Sequence, residues 1–329
     1  MGAEPSPRNE SRPVVNVVNV VPMPMQKFSE ESDEQTPHVS VLLEEAVAAL
    51  APRPDGLYVD ATLGAGGHSE ALLERGAAVI GIDRDDVALA LAKDRLSRFG
   101  ERFVALKGTF GDIAGLLASH AVDKVDGILA DIGVSSMQLD EDVRGLSFRR
   151  EGPLDMRMDR SAGETALELI ARLSDEDLAN VIYRFGEERR SRRVARCIKQ
   201  ALAAGELATT LDLRRAVVRA VGPARVGGVD PATRTFQALR IAVNGELDEL
   251  AALLAAGKSV LRPGGTLAVI SFHSLEDRMV KREFTDRATW APLTKKPVVA
   301  SDAEQAKNPR SRSAKLRAAR LHGGEGLHS

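Results

Sequence analysis

The segments Tyr58-Val-Asp-Ala-Thr-Leu-Gly-Ala-Gly-Gly-His68 and Val79-Ile-Gly-Ile-Asp83 decide the fold of this chain. The first begins with an apolar run that ends in an acid, and a glycine-rich turn follows. The second is an apolar run that also ends in an acid. Glycine permits tight turns and lets the backbone approach a ligand closely. An acid about 20 residues after the first glycine of such a turn is typical of the side chain that binds a ribose. The two segments therefore predict a site for an adenosine-type cofactor.

Strand-like and helix-like patterns alternate on both sides of these segments. The alternation predicts an α/β fold, with a parallel sheet that is covered by helices on both faces. The run over residues 266–272 is almost wholly apolar, as expected of a buried parallel strand. We predict strands over residues 57–61, 77–83, 102–106, 125–131, 266–272 and 314–320, and sheet-domain helices over 39–50, 69–75, 86–99 and 235–256.

The alternation stops between residues 138 and 230, where we find no convincing strand. Apolar residues recur there at helical spacing, and Ser174 and Thr209 each precede an acid by three residues, which is typical of a helix N-terminus. Helices are therefore predicted over 174–185, over 187–204 and after Thr209. We divide the chain into a disordered N-terminal tail (1–36), a discontinuous Rossmann-like sheet domain (37–137 and 231–321), an all-helical inserted domain (138–230) and a flexible C-terminus (322–329).

The composition excludes several classes of protein. A formal net charge of −2 over 329 residues gives the whole chain no general affinity for nucleic acid. Cys197 is the only cysteine, which excludes an internal disulfide and suits a reducing cytoplasm. The six histidines show no metal-ligand spacing, so we expect no metal. No apolar run approaches the ~20 residues that cross a bilayer, so we expect no membrane partner.

The glycine turn leaves the type of cofactor open. A dinucleotide fingerprint requires a third glycine at the position that Ser69 occupies. The remaining pattern, with Asp60 before the turn and Asp83 after it, suits S-adenosylmethionine, because a carboxylate can accept hydrogen bonds from both ribose hydroxyls. A dinucleotide site and a purely structural turn are the alternatives. Asp60, Asp83 and Asp131 each end a predicted strand, where open α/β sheets bind their ligands.

Longer motifs elsewhere in the chain are more specific. They include Asp126-Gly-Ile-Leu-Ala-Asp-Ile-Gly-Val-Ser-Ser-Met-Gln-Leu-Asp140, Thr233-Arg-Thr-Phe-Gln-Ala-Leu-Arg-Ile-Ala-Val-Asn244 and Val269-Ile-Ser-Phe-His-Ser-Leu-Glu-Asp-Arg278. With residues 144–148, 152–159 and 308–317, they closely resemble the bacterial small-subunit ribosomal RNA methyltransferase H family, also called MraW. The resemblance extends from about residue 37 to residue 320.

The resemblance implies a class I S-adenosylmethionine-dependent methyltransferase with a helical insert. It implies methylation of the exocyclic 4-amino group of one cytidine in the decoding region of 16S ribosomal RNA, so the partner is that RNA or the small ribosomal subunit. The chain departs from the family pattern at Met137, Leu146 and Gly245, and none of these replaces an implied contact. The implied cofactor contacts are Gly66, Gly67 and His68 in the turn, Asp83 on the ribose, Phe110 on the adenine, and Asp131 with Gln138 at the far wall.

Asp131 is the candidate catalytic residue. The amino group of cytosine is a poor nucleophile, and its methylation needs an acceptor for an amino hydrogen. We expect Asp131, or a backbone carbonyl just after it, to be that acceptor; the alternative is that Asp131 only binds the cofactor. His273 is a second candidate at the edge of the site, with a structural role as its alternative.

A basic segment predicts where RNA binds. Residues 184–240 contain 13 Lys or Arg against 5 Asp or Glu, and residues 307–320 contain six basic residues and no acid. The alternative for either run is a solvated surface, but two such runs favour phosphate contacts. The predicted RNA-binding residues are Arg189, Arg190, Arg192, Arg193, Arg196 and Lys199. Two other functions stay open, a non-catalytic ribosome-assembly factor and a nicotinamide-dependent oxidoreductase.

Overall fold

The computed structural model describes Met1 and residues 40–133, 142–224 and 229–323. Within these residues, a seven-stranded sheet has the order β3-β2-β1-β4-β5-β7-β6. Strands β1 to β5 pair in parallel, and β7 is antiparallel to both β5 and β6. The strands are β1 (Leu57–Asp60), β2 (Ala78–Asp83), β3 (Phe103–Lys107), β4 (Val125–Asp131), β5 (Leu261–Ser271), β6 (Trp290–Pro292) and β7 (Lys315–Leu321). The α/β prediction is confirmed, and β6 is a strand that the sequence pattern did not indicate.

Helices cover both faces of the sheet, because side chains of the central strands alternate between two packed clusters. Val59 and Ile128 belong to one cluster, and their chain neighbours Tyr58 and Leu129 belong to the other. The helices are α1 (Leu43–Leu50), α2 (Gly67–Glu74), α3 (Asp86–Leu96), α4 (Ile113–Ser119), α5 (Ala166–Arg172), α6 (Asp175–Gly186), α7 (Ser191–Ala203), α8 (Thr210–Val221), α9 (Thr233–Asn244), α10 (Glu246–Val260), α11 (Ser274–Glu283) and α12 (Asp302–Lys307). None of the described helices is long and apolar enough to cross a membrane.

The helices between β4 and α10 enclose a hydrophobic cluster of their own. The predicted helix starts are confirmed, since the side chains of Ser174 and Thr209 accept hydrogen bonds from the backbone three residues on. Helix α9 packs into the same cluster, and its Phe236 ring lies 4.8 Å from the ring of Phe148. Residues 38–329 nevertheless form one compact unit, so the division into a sheet domain and an inserted domain stays a prediction.

The single long helix predicted over residues 235–256 is wrong. Gly245, with a φ of 62°, ends α9 in the left-handed region, and α10 begins at the next residue. The apolar spacing runs on across this break, which is why the pattern concealed it. Helix α10 also continues past Gly257 to Val260; a Cβ on Gly257 would lie 3.2 Å from the side chain of Leu267, so close packing explains this glycine.

Several predictions concern residues that the structure does not describe. They are the tail over residues 1–36 apart from Met1, the contact assigned to Gln138, the departure at Met137, and most of the C-terminal segment 322–329. These stay predictions.

Candidate active site

A cleft opens at the carboxyl ends of β1, β2 and β4. Its volume is about 940 Å³, including the space at its mouth that is open to solvent. Parallel strands present their carboxyl ends at one edge of the sheet, which is where such folds bind ligands. The sequence-predicted residues that line the cleft are Gly67, His68, Asp83, Phe110 and Asp131. The structure therefore brings five of the seven predicted cofactor residues to one place.

Asp83 is held in the cleft by the backbone on either side of it. Its Oδ2 accepts the N–H of Gly64 at 2.8 Å, and its Oδ1 accepts the N–H of Asp85 at 2.9 Å. Burial raises the pKa of Asp83, and these two hydrogen bonds oppose the rise. Each carboxylate oxygen has a second lone pair, so both can still accept from a ligand. The arrangement fits a pair of adjacent ribose hydroxyls.

Gly66 shapes the turn and does not line the cleft. Its N–H donates to the carbonyl of Leu63 at 2.8 Å, its φ is 82°, and a Cβ there would lie 2.9 Å from Leu96. Gly67 does line the cleft, and its position has no room for a side chain because Ser40 approaches it. The structure gives Gly66 a conformational role, and its direct contact with a cofactor stays a prediction.

Ser69 occupies the position where a dinucleotide motif would have glycine, and its side chain makes a specific contact there. Its hydroxyl donates to Oδ2 of Asp60 at 2.8 Å, and both residues are buried. The other carboxylate oxygen of Asp60 accepts the N–H of Thr62 at 3.3 Å. Burial raises the pKa of Asp60 despite these hydrogen bonds. Asp60 therefore braces the turn from inside, and it is not among the residues that line the cleft.

Asp131 presents an unsatisfied acceptor beside the cleft. Its backbone N–H donates to the hydroxyl of Thr62 at 2.6 Å, but its Oδ1 is buried without a hydrogen-bond partner in the described structure. About 21% of the side chain is exposed, and Asp131 lines the cleft. Burial raises the pKa of Asp131 to about 6, while the nearby His68 and Arg310 lower it. A buried acceptor without a donor costs free energy, so this geometry favours binding of a ligand N–H or O–H.

Sequence reasoning did not identify Met158 as part of the cleft. Met158 comes from the 152–159 motif, and its backbone N–H donates to the side chain of Asn244 at 2.8 Å. The amide of Asn244 donates in turn to the carbonyl of Met156 at 2.8 Å. Arg144 donates to the carbonyl of Met158 at 3.1 Å and forms a buried ion pair of 2.8 Å with Asp85, and so it joins this segment to the start of α3. Spacing alone could not have shown this wall, because it joins segments far apart in the chain.

A cluster of ionisable side chains lies next to the cleft. Glu246 lines the cleft, and both its oxygens accept hydrogen bonds from Arg240, at 2.8 and 2.7 Å. His273 caps α11, with Nδ1 accepting the N–H of Glu276 at 3.4 Å. Ligand-type atoms of Glu246, His273 and Glu276 all lie within 4.8 Å of one another. Because Nδ1 accepts, the neutral ring of His273 carries its proton on Nε2, and that atom is a donor. The expected absence of a metal at this group stays a prediction.

The six predicted RNA-binding residues lie on and just before α7. Five are exposed and Lys199 is half-buried. Arg190 donates to the carbonyl of Val221 and Lys199 to that of Ala171. In the described part of the chain, the charged end of none of these six side chains lies within 4.0 Å of a carboxylate oxygen, although the backbone N–H of Arg190 donates to Glu188. The structure therefore leaves their charge available to an outside partner.

Comparison of the sequence with known proteins also indicates a methyltransferase. The family model described as the MraW methylase family matches residues 35–322. A protein of Sorangium cellulosum, named ribosomal RNA small subunit methyltransferase H, is 68% identical over 94% of this chain and 98% of its own length. Proteins of the same name from Deinococcus deserti and Nitrobacter hamburgensis are 54% and 53% identical, each over 86% of this chain and over 92% and 90% of their own lengths.

Proposed function

This chain belongs to the MraW methylase family, and from that premise we propose that it methylates the exocyclic 4-amino group of one cytidine in the decoding region of 16S ribosomal RNA. S-adenosylmethionine is the methyl donor. The observation that carries the proposal is the pairing, in one cleft, of a ribose-type carboxylate at Asp83 with an unsatisfied buried acceptor at Asp131. The first suits the cofactor, and the second suits an amine that must lose a proton.

The residues of the cleft fit S-adenosylmethionine. Asp83 would accept from the ribose hydroxyls, and the backbone around Gly67 and His68 would hold the amino-acid end. Phe110 would lie against the adenine, with Met158 as a second apolar wall. When bound, this cofactor supplies an electrophilic methyl group on a sulfonium centre. The site does not support a nicotinamide-dependent oxidoreductase, because the position of the third glycine of a dinucleotide motif holds Ser69, whose hydroxyl donates to Asp60.

The chemistry assigned to Asp131 follows from the state of the target amine. The lone pair of the cytosine amino group is delocalised into the ring, and a hydrogen bond from this group to a carboxylate localises electron density on nitrogen. Holding the base with its amino group on Asp131 also fixes the approach, and such positioning contributes several kcal/mol. The competing role, in which Asp131 contacts only the cofactor, predicts normal transfer without the carboxylate.

The basic surface around α7 would bind the RNA. Six cationic side chains whose charged ends meet no carboxylate among the described residues suit phosphate groups, and the chain offers few aromatic side chains for base stacking. The target cytidine must leave its stack to reach a cleft at the sheet edge, as bases do in other enzymes that modify them. Shape and phosphate contacts would then select the site.

The decisive experiment measures transfer of labelled methyl groups to undermethylated small ribosomal subunits, followed by nucleoside analysis. We expect label in 4-N-methylcytidine at one position. Asp131→Asn should retain cofactor affinity and lose most of the turnover. Cofactor binding without transfer by the natural protein would instead support a ribosome-assembly factor. Full turnover by Asp131→Asn would confine Asp131 to binding the cofactor.

A further inference from the structure

Methylation of an amine releases a proton that the site must take up. The nitrogen lone pair forms the new C–N bond, the S–C bond breaks with its electrons going to sulfur, and one N–H bond then breaks with its electrons staying on nitrogen. Asp131 is the first acceptor under the proposed function, on which this inference rests. A carboxyl group that keeps the proton cannot serve the next turnover, so the proton must pass from Asp131 to a further acceptor and finally to solvent.

His68 lies next to Asp131, and a hydrogen bond to the backbone fixes the tautomer of its ring. The side chain is 4% exposed, and its Nε2 lies 3.1 Å from the carbonyl oxygen of Val41. A carbonyl only accepts, so Nε2 carries a hydrogen. In the neutral ring, Nδ1 therefore bears the lone pair, and this atom lies 4.0 Å from Oδ2 of Asp131. The ring is thus oriented with its basic nitrogen toward the carboxylate.

We propose that His68 is a positioning residue that receives the transferred proton from Asp131 on Nδ1 and so restores the carboxylate. The O–H bond of Asp131 breaks as the N–H bond forms, and the product is a carboxylate–imidazolium pair. A distance of 4.0 Å must shorten for this transfer, and catalytic hydrogen bonds commonly tighten when substrate binds.

Charged groups surround the pair formed by Asp131 and His68. The charged groups that face Asp131 are His68, Arg310, Asp60 and Glu276. Asp60 also interacts electrostatically with His68, so two carboxylates would act on the cation. Its Nε2–H keeps the carbonyl of Val41 and its Nδ1–H gains Asp131. Both donors of the charged ring would be satisfied once the 4.0 Å separation between Nδ1 and Oδ2 shortens.

His68→Gln is the matched test, because the glutamine amide nitrogen can still donate to Val41 while the basic nitrogen is lost. Cofactor affinity, measured by calorimetry, should stay within about threefold. The kcat should fall roughly 10–100-fold, less than the ~10²–10⁴-fold typical of groups that exchange a proton with the substrate directly, because His68 acts through Asp131. The acidic limb of the kcat profile, which Asp131 sets, should move to higher pH, since His68 lowers the pKa of Asp131. A role confined to packing would lower kcat without moving that limb.

Two measurements without turnover complete the test. In cofactor-free protein, ¹³C NMR of the Asp131 carboxyl should give a higher pKa in His68→Gln than in the natural chain. In the natural chain, ¹⁵N NMR should show Nε2 protonated in the neutral ring of His68, and a proton on Nδ1 would overturn the proposal even if the variant failed to fold. Normal methylation by His68→Gln with an unmoved pH limb would also overturn it and leave the proposed function intact. Absence of transfer by the natural protein would end both.

Discussion

At the scale of single residues, Asp131 links the stability of the fold to pH. Burial raises its pKa to about 6, above the ordinary value near 4, so the folded state favours the protonated carboxyl. The stability that this provides is full below the ordinary value and is lost as pH rises through about 6. At neutral pH, the charged carboxylate therefore destabilises the protein that uses it.

We expect Asp131→Asn to raise the thermal midpoint at pH 8 and to change it little at pH 4. The amide is neutral at both pH values and removes the penalty of the buried charge. Scanning calorimetry at the two values checks this. Asp126→Asn is the control of opposite sign, because Asp126 pairs with Arg53 and Arg262 and its pKa is lowered. A lower midpoint for Asp131→Asn at pH 8 would contradict the assignment.

Asp83 provides a second test at this scale. Asp83→Ala removes the proposed charge-assisted hydrogen bonds to the ribose, each worth about 1.5–3 kcal/mol, so cofactor affinity should fall roughly ten- to a hundred-fold. Isothermal calorimetry measures this directly. Asp86→Ala is the control, since that exposed carboxylate begins α3 and pairs with Lys107 outside the cleft. Equal affinity in both variants would remove Asp83 from the cofactor site.

At the scale of elements, the junction between α9 and α10 positions the cleft. Gly245 ends one helix and directs Glu246 to the cleft, while Asn244 holds the backbone of Met158 and Met156. The break occurs within an apolar pattern that reads as one helix. A single left-handed residue is enough to redirect the chain, because it ends the helical hydrogen bonds and satisfies the last carbonyls.

Asn244→Ala should weaken cofactor binding about tenfold, although Asn244 itself does not line the cleft. The variant loses the hydrogen bonds that place Met158, and losing such a partner costs about 1–3 kcal/mol. Affinity and urea stability are measured on the same sample, so that local and global effects separate. Gln237→Ala is the matched control, because Gln237 lies on the same helix and donates to Phe185 away from the cleft. An unchanged affinity for Asn244→Ala would contradict the wall role of Met158.

Local features of the fold could be predicted from the sequence, whereas contacts between distant segments could not. The strands that end in Asp60, Asp83 and Asp131 were predictable, since short apolar runs with an acid at the end reflect local burial and chain direction. The partner of Ser69 and the position of Met158 were not predictable. Both depend on which distant segments meet after folding, and no periodicity in one segment encodes that.

At the scale of the whole molecule, charge is segregated although the net charge is only −2. The basic surface around α7 is the proposed RNA contact. Arg192→Glu with Arg193→Glu should weaken RNA binding and flatten its dependence on salt, because fewer counterions are released. Cofactor affinity should not change. Filter binding at several salt concentrations measures the slope, with Lys281→Glu and Arg282→Glu on α11 as the control pair; an unaltered slope in the α7 variant would exclude this surface.

The ion pair between Arg144 and Asp85 has a thermodynamic consequence for the order of binding. The segment that supplies Met158 to the cofactor cleft belongs to the same helical cluster as the basic surface. A substrate that drew this cluster closer to α3 would raise the affinity for the methyl donor, provided that the donor binds against Met158 as proposed. Reciprocity then requires the donor to raise the affinity for that substrate by the same factor. The enzyme would thus bind RNA most tightly while it holds the methyl donor. After methyl transfer, the release of either partner would lower the affinity for the other.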